Sequence, residues 1–173
     1  MFMKKVSART LAVAGGIALA LGGMSSTQAA TDDLDVSATV VANCTITANA
    51  LNLGNYDPVG ANAAAAATAT TTLSVSCTSG ETADVTLGEG THVGAGSTAA
   101  DPNRRLSDGT NFLNYGLFTD VTRLVEWGNT VGTGVQHTGT GSAVAITVYG
   151  SIPAAQNVPA GVYTDTVVAT IEL

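Results

Sequence analysis

Few side chains in this sequence are equipped for chemistry, and none stands at a catalytic spacing. The only thiols are Cys44 and Cys77, and the only imidazoles are His92 and His137. Neither cysteine sits in a C-x-x-C motif and no histidine is close to either in sequence, which weighs against a metal-binding or nucleophilic thiol. The histidines fall in Gly/Thr-rich stretches and read as solvated loop residues rather than ligands or general bases. Ser107-Asp108-Gly109 lacks the G-x-S-x-G surroundings of a nucleophile elbow and reads as a turn. Gly132-Thr133-Gly134 and Gly139-Thr140-Gly141 lack the strand–loop–helix setting of a phosphate cradle. Asp101, Asp108 and Asp120 are scattered and do not have the spacing of an EF-hand loop. Trp127 and Tyr115 read as packing residues rather than as a sugar-stacking platform. The expectation is a protein with no catalytic residue, no metal site and no cofactor.

What the cysteines do depends on the compartment. The chain opens Met-Phe-Met-Lys-Lys, with Arg9 following, then runs from Leu11 to Gly23 without a charge and on to the small, polar Ser25-Ser26-Thr27-Gln28-Ala29-Ala30. A basic start, a short apolar centre and a small-residue exit form a secretory signal peptide. The centre is too short for a membrane span, which takes about 20 residues. Residues 1–30 are therefore expected to be removed, with cleavage after Ala29 or Ala30. Export places both cysteines in an oxidising compartment, where a Cys44–Cys77 disulfide is the natural pairing. Closing a loop of that length stabilises by about 3–4 kcal/mol.

Without the leader, Arg104, Arg105 and Arg123 face all 13 acidic residues, and no lysine remains. Such a surface argues against nucleic-acid binding and against docking on anionic lipid. No membrane insertion is expected of the mature chain. The absence of lysine also excludes lysine-linked covalent fibres.

The elements that carry these residues read as strands. Leu73, Val75 and Cys77 alternate with Thr72, Ser74 and Ser76, and Val144, Ile146 and Val148 alternate with Ala145, Thr147 and Tyr149. Period-two alternation marks a strand with one buried face. Tyr163, Val167, Ala169, Ile171 and Leu173 share one face, with Asp165 the polar exception. Turn signals at Gly88-Glu89-Gly90 and Pro159-Ala160-Gly161 separate such runs. One all-β sandwich domain is expected. Only the Ala-rich Asn62 to Thr70 resists, reading as a loop or a short helical turn.

The mature N-terminus carries the functional reading. Leu34, Val36, Ala38 and Val40 point one way, and Asp33, Asp35, Ser37 and Thr39 the other. Alone, this segment reads as the first strand of an ordinary sandwich. At the other end Leu173 falls inside an apolar alternating run, so an uncovered edge strand is expected there, and such an edge is a template for another chain. A terminal strand and a bare edge suit head-to-tail assembly by strand addition.

Longer motifs extend this reading. They include Val36-Ser37-Ala38-Thr39-Val40 leading to Cys44-Thr45-Ile46, Leu51-Asn52-Leu53-Gly54-Asn55-Tyr56-Asp57-Pro58, and Leu73-Ser74-Val75-Ser76-Cys77. Further on come Leu113-Asn114-Tyr115-Gly116-Leu117-Phe118, Trp127-Gly128, Tyr149-Gly150-Ser151-Ile152-Pro153 and Pro159-Ala160-Gly161-Val162-Tyr163-Thr164-Asp165-Thr166-Val167. In this order the sequence resembles the spore coat protein U family, which includes subunits of archaic (Csu-type) chaperone–usher pili.

The resemblance implies an incomplete immunoglobulin-like sandwich with a free N-terminal donor strand. Residues 1–30 are then the signal peptide, 31–42 the donor strand and 43–173 the pilin domain. The donor positions are Leu34, Val36, Ala38 and Val40. The acceptor groove is flanked by the last strand, with Tyr163, Val167, Ala169, Ile171 and Leu173, and by the first strand of the domain. The implied partners are identical or related pilin subunits, a periplasmic chaperone and an outer-membrane usher. The implied place is the cell surface, in a pilus supporting adhesion and biofilm formation. The alternative is a secreted coat protein or a carbohydrate-binding adhesin module.

Overall fold

Alternating apolar positions need a second layer to bury them, and the chain supplies one. A computed structural model describes residues 28–173. The expected leader, residues 1–30, lies outside the described residues but for its last three. Thr39–Leu173 forms one compact unit. Residues 28–43 belong to no helix or strand, and Leu34, Val36, Ala38 and Val40 are all exposed.

Eight strands follow: β1 (Cys44–Ala48), β2 (Ala67–Cys77), β3 (Thr82–Leu87), β4 (Arg104–Ser107), β5 (Phe112–Phe118), β6 (Val135–Thr138), β7 (Val144–Ile152) and β8 (Ala169–Glu172). They form a five-stranded sheet, β1-β2-β7-β5-β4, and a three-stranded sheet, β6-β3-β8. All pairings are antiparallel. The all-β expectation holds, and the described residues contain no helix.

The alternation read from the sequence sets the core. Leu73, Val75 and Cys77 of β2 and Val148 of β7 turn inward from the large sheet, and Ala83, Val85 and Leu87 of β3 meet them from the small one. Trp127 is fully buried between them and donates from Nε1 to Val85 O at 2.9 Å. A buried indole must satisfy its N–H, and here it does so on a strand carbonyl. Tyr115 joins the same core.

Two local readings are corrected. The Ala-rich segment is not loop throughout: β2 begins at Ala67, and Ala67–Thr70 pairs with Tyr149–Ile152 of β7. Alternating threonines supply the β-branched side chains that a sheet favours, which outweighs the alanines around them. The preceding turn is tied by buried Asn62, whose Oδ1 accepts from Asp57 N at 2.8 Å and whose Nδ2 donates to Ala65 O at 3.1 Å. Nor are both histidines loop residues, although His92 is one. His137 lies within β6, opposite Ala83. His92 rests against a buried carboxylate, described below. Ser107-Asp108-Gly109 is the expected turn, closed by Asp108 Oδ1 accepting from Thr110 N and Asn111 N.

Candidate functional site

The two sheets are left open along one side. β1 is an edge of the large sheet and β8 an edge of the small one. They approach each other, yet no ladder joins them. After β1 the chain continues through Leu51 and Leu53 beside the large sheet. Before β8 it runs from Tyr163 to Val168 with alternate residues half-buried and a single bridge, Thr164 to Ser107.

Between these two lips lies a groove with an apolar floor, made of two adjoining cavities of about 650 and 400 Å³. Leu51, Leu53, Leu106 and Asp165 line both. Leu113 and Ile152 floor the larger cavity, and Leu73, Leu87, Tyr115, Leu117 and Val148 the smaller. The residues along the lips are only half-buried, although they pack on the core: Ile46, Leu51, Leu53, Val167 and Ile171 are examples. Apolar side chains aimed inward but still wet are an unmet demand for burial, worth about 25 cal/mol per Å² once covered.

Among the acceptor positions expected from the sequence, Tyr163 lines the larger cavity, Val167 and Ala169 line the smaller, and Ile171 packs on the core. Leu173 does not join them and is 65 % exposed. The lip is also less regular than expected, because only Ala169–Glu172 is laddered to β3. Upstream it is held at two places: Thr164 and Ser107 exchange both main-chain bonds at 2.9 Å, and Gly88 N donates to Val168 O at 2.8 Å. The sequence reading missed the floor residues and the Leu51/Leu53 lip. The i, i+2 spacing of those two leucines was the available signal.

The opposite lip is fixed covalently. Cys44 and Cys77 stand directly opposite in the β1–β2 ladder, with Cα atoms 4.1 Å apart, and form a disulfide. Thr78 N donates to Asn43 O at 2.9 Å just beyond it.

One polar knot interrupts the apolar wall. The Asp165 side chain is 1 % exposed. Its Oδ2 accepts from Tyr115 Oη at 2.7 Å, and its Oδ1 accepts from Thr91 N at 2.9 Å and lies 3.1 Å from His92 Nδ1. Gly90 sits against Oδ2 with φ +84, so a Cβ there would both clash and strain the backbone. Burial alone would raise the Asp165 pKa, but the hydrogen bonds from Thr91 and Tyr115 outweigh it and hold it below the usual carboxylate value. Burial, and then the bond to Asp165, push the Tyr115 phenol well above its ordinary value.

This knot is not built for catalysis. A His–Asp relay needs the carboxylate on one ring nitrogen and the nucleophile on the other. Here Nδ1 faces both Asp165 and the Thr91 hydroxyl. Among the described residues no three His, Cys, Asp or Glu side chains gather as a metal site. No described helix is long and apolar enough to cross a membrane.

The family model described as "Spore Coat Protein U domain" matches residues 30–170. "Protein U" of Myxococcus xanthus is 45 % identical over 177 residues, spanning 98 % of this chain and 99 % of the relative. A chain in the crystal structure of the CsuC-CsuE chaperone-tip adhesion subunit pre-assembly complex, from the archaic chaperone-usher Csu pili of Acinetobacter baumannii, superposes with a TM-score of 0.56 at 20 % identity. That match covers 78 % of this chain and 40 % of the solved one. At that identity the likeness concerns the fold, an immunoglobulin-like sandwich.

Proposed function

The chain belongs to the spore coat protein U family, and from that premise we propose that it is a non-catalytic structural subunit of a chaperone–usher surface pilus. It polymerises by donor-strand exchange. Residues 1–30 are the cleaved leader, 31–42 the donor strand and 43–173 the domain that accepts a neighbour's strand. The observation that carries this reading is the open groove between Leu51–Leu53 and Tyr163–Ala169. It has the shape of a sandwich lacking one strand.

Leu34, Val36, Ala38 and Val40 of one copy fill the groove of the next. Their burial stabilises by on the order of 5–8 kcal/mol. Main-chain bonds to the two free lips add about 1 kcal/mol each. Ordering the donor segment offsets part of this. A periplasmic chaperone covers the groove before assembly, and an outer-membrane usher receives the subunit. The fibre stands on the cell surface and supports adhesion and biofilm formation.

The family's description and the 45 % identity to Protein U also favour a second reading, a secreted coat protein. Assembled material boiled or left unboiled in SDS separates the two. A ladder of multimers that collapses only on boiling supports strand-linked fibres. Monomer under both conditions sinks the pilus reading.

A further inference from the structure

The lip of the groove from Asp165 to Val167 is the part with least holding it. Thr164 is fixed to Ser107 and Val168 to Gly88, but among the described residues Asp165, Thr166 and Val167 have no main-chain partner. What ties this stretch down is a side chain. Asp165 is half-buried as a residue while its side chain is 1 % exposed, so the groove meets its main chain and not its carboxylate. The carboxylate is turned inward, to Tyr115 Oη on β5 and to Thr91 and His92 in the loop after β3.

We infer that Asp165 is a positioning residue for strand exchange: its buried carboxylate holds Thr164–Val168 in the shape that an incoming strand must meet, without touching that strand. This rests on the strand-exchange reading above. The physical reason lies in Val167. It sits half-buried over a cavity of about 400 Å³. Left untethered, an apolar side chain beside an unfilled apolar cavity is drawn in, and the lip follows. A groove whose competent shape is only partly populated binds more weakly by that fraction.

The consequence is kinetic. A side chain that shapes the empty groove without touching the guest alters association and leaves dissociation unchanged. The probe is a labelled synthetic peptide of residues 31–42, captured by the dilute full-length mature chain. Asp165→Ala is expected to slow association about tenfold with dissociation unchanged. Asp165→Asn recovers most of the rate, since its carbonyl still accepts from Thr91 N and its amide can donate to Tyr115 Oη. Tyr115→Phe removes one bond and slows association by a smaller factor. If Asp165→Ala does not fold, Tyr115→Phe and Asp165→Asn carry the same comparison. Association at the wild-type rate in a folded Asp165→Ala or Tyr115→Phe chain, or loss through faster dissociation alone, overturns the inference. If the wild-type chain captures no peptide, the exchange reading falls and this inference falls with it. Normal wild-type capture with an indifferent Asp165 sinks this inference alone.

Discussion

Arg104, whose side chain has no exposed surface, donates from Nη1 to Glu126 Oε1 at 2.7 Å. The same guanidinium reaches Leu87 O and Gly88 O at 2.8 Å and Trp127 O at 2.6 Å. It thus joins the end of β3, the start of β4 and the segment carrying the buried tryptophan. Removing one partner of a buried, hydrogen-bonded ion pair costs about 3–5 kcal/mol. Arg104→Met is expected to lose that much in urea unfolding, because Glu126 and three carbonyls are left without their donor. Arg104→Lys recovers little, since an ammonium cannot span four acceptors in a planar fork.

Glu126 gives this pair a pH signature. Burial raises its pKa to about 6, against the opposing pull of Arg104. A carboxylate whose folded pKa exceeds its unfolded value favours the folded state most when protonated. Its contribution is full below the unfolded value and is lost as pH rises through about 6. Wild type is therefore expected to lose about 2 kcal/mol relative to Glu126→Gln between about pH 4 and pH 7. Chemical denaturation of both proteins at the two pH values checks this. A constant difference contradicts it.

The strands that hold this site were legible where alternation was plain. β2 and β7 fall where Leu73–Cys77 and Val144–Val148 placed them, and the disulfide followed from export. The polar interior was harder to read. Arg104 and Leu106 share one phase of β4, so an arginine at an inward position was visible, but its charge argued for solvent. Asp165 stood in phase with Tyr163 and Val167 and passed as an exception. In both cases the compensating partners, Glu126 and Tyr115, are distant in sequence, and periodicity carries no information about them. The groove depended on strand order: nothing local says that β1 and β8 come side by side without pairing.

The Cys44–Cys77 bridge closes a loop with a sequence separation of 33. The chain-entropy relation for such a loop gives about 3–4 kcal/mol. Cys44→Ala with Cys77→Ala is expected to lower unfolding free energy by that amount. It also leaves β1, an edge strand beside the groove, held by its ladder to β2 without the covalent tie, so peptide capture weakens together with stability. Unchanged stability under reducing conditions contradicts this.

Gly90 tests the knot from the other side. With φ +84 and Asp165 Oδ2 where a Cβ would go, Gly90→Ala is strained in backbone and in contact. A loss of about 1–3 kcal/mol is expected in thermal or urea unfolding. Gly96→Ala is the control: its φ is +79 and nothing lies within 4 Å, so it carries the backbone term alone and costs less.

The donor assignment is tested by charge placed among equally exposed residues. Leu34 is 87 % exposed and Leu124 is 83 % exposed, so in the single chain a carboxylate is tolerated at either position. The two diverge only on assembly. If Leu34 and Val36 enter a neighbour's groove, Asp at either position buries a charge with no partner, which costs several kcal/mol and cancels the gain from the apolar face. Leu34→Asp and Val36→Asp should therefore abolish the SDS-resistant ladder while monomer stability stays at wild type. Leu124→Asp should leave the ladder intact. A mature chain lacking residues 31–41 should still capture the labelled peptide, because its groove is untouched, yet never serve as donor. A normal ladder from that shortened chain would place the donor elsewhere.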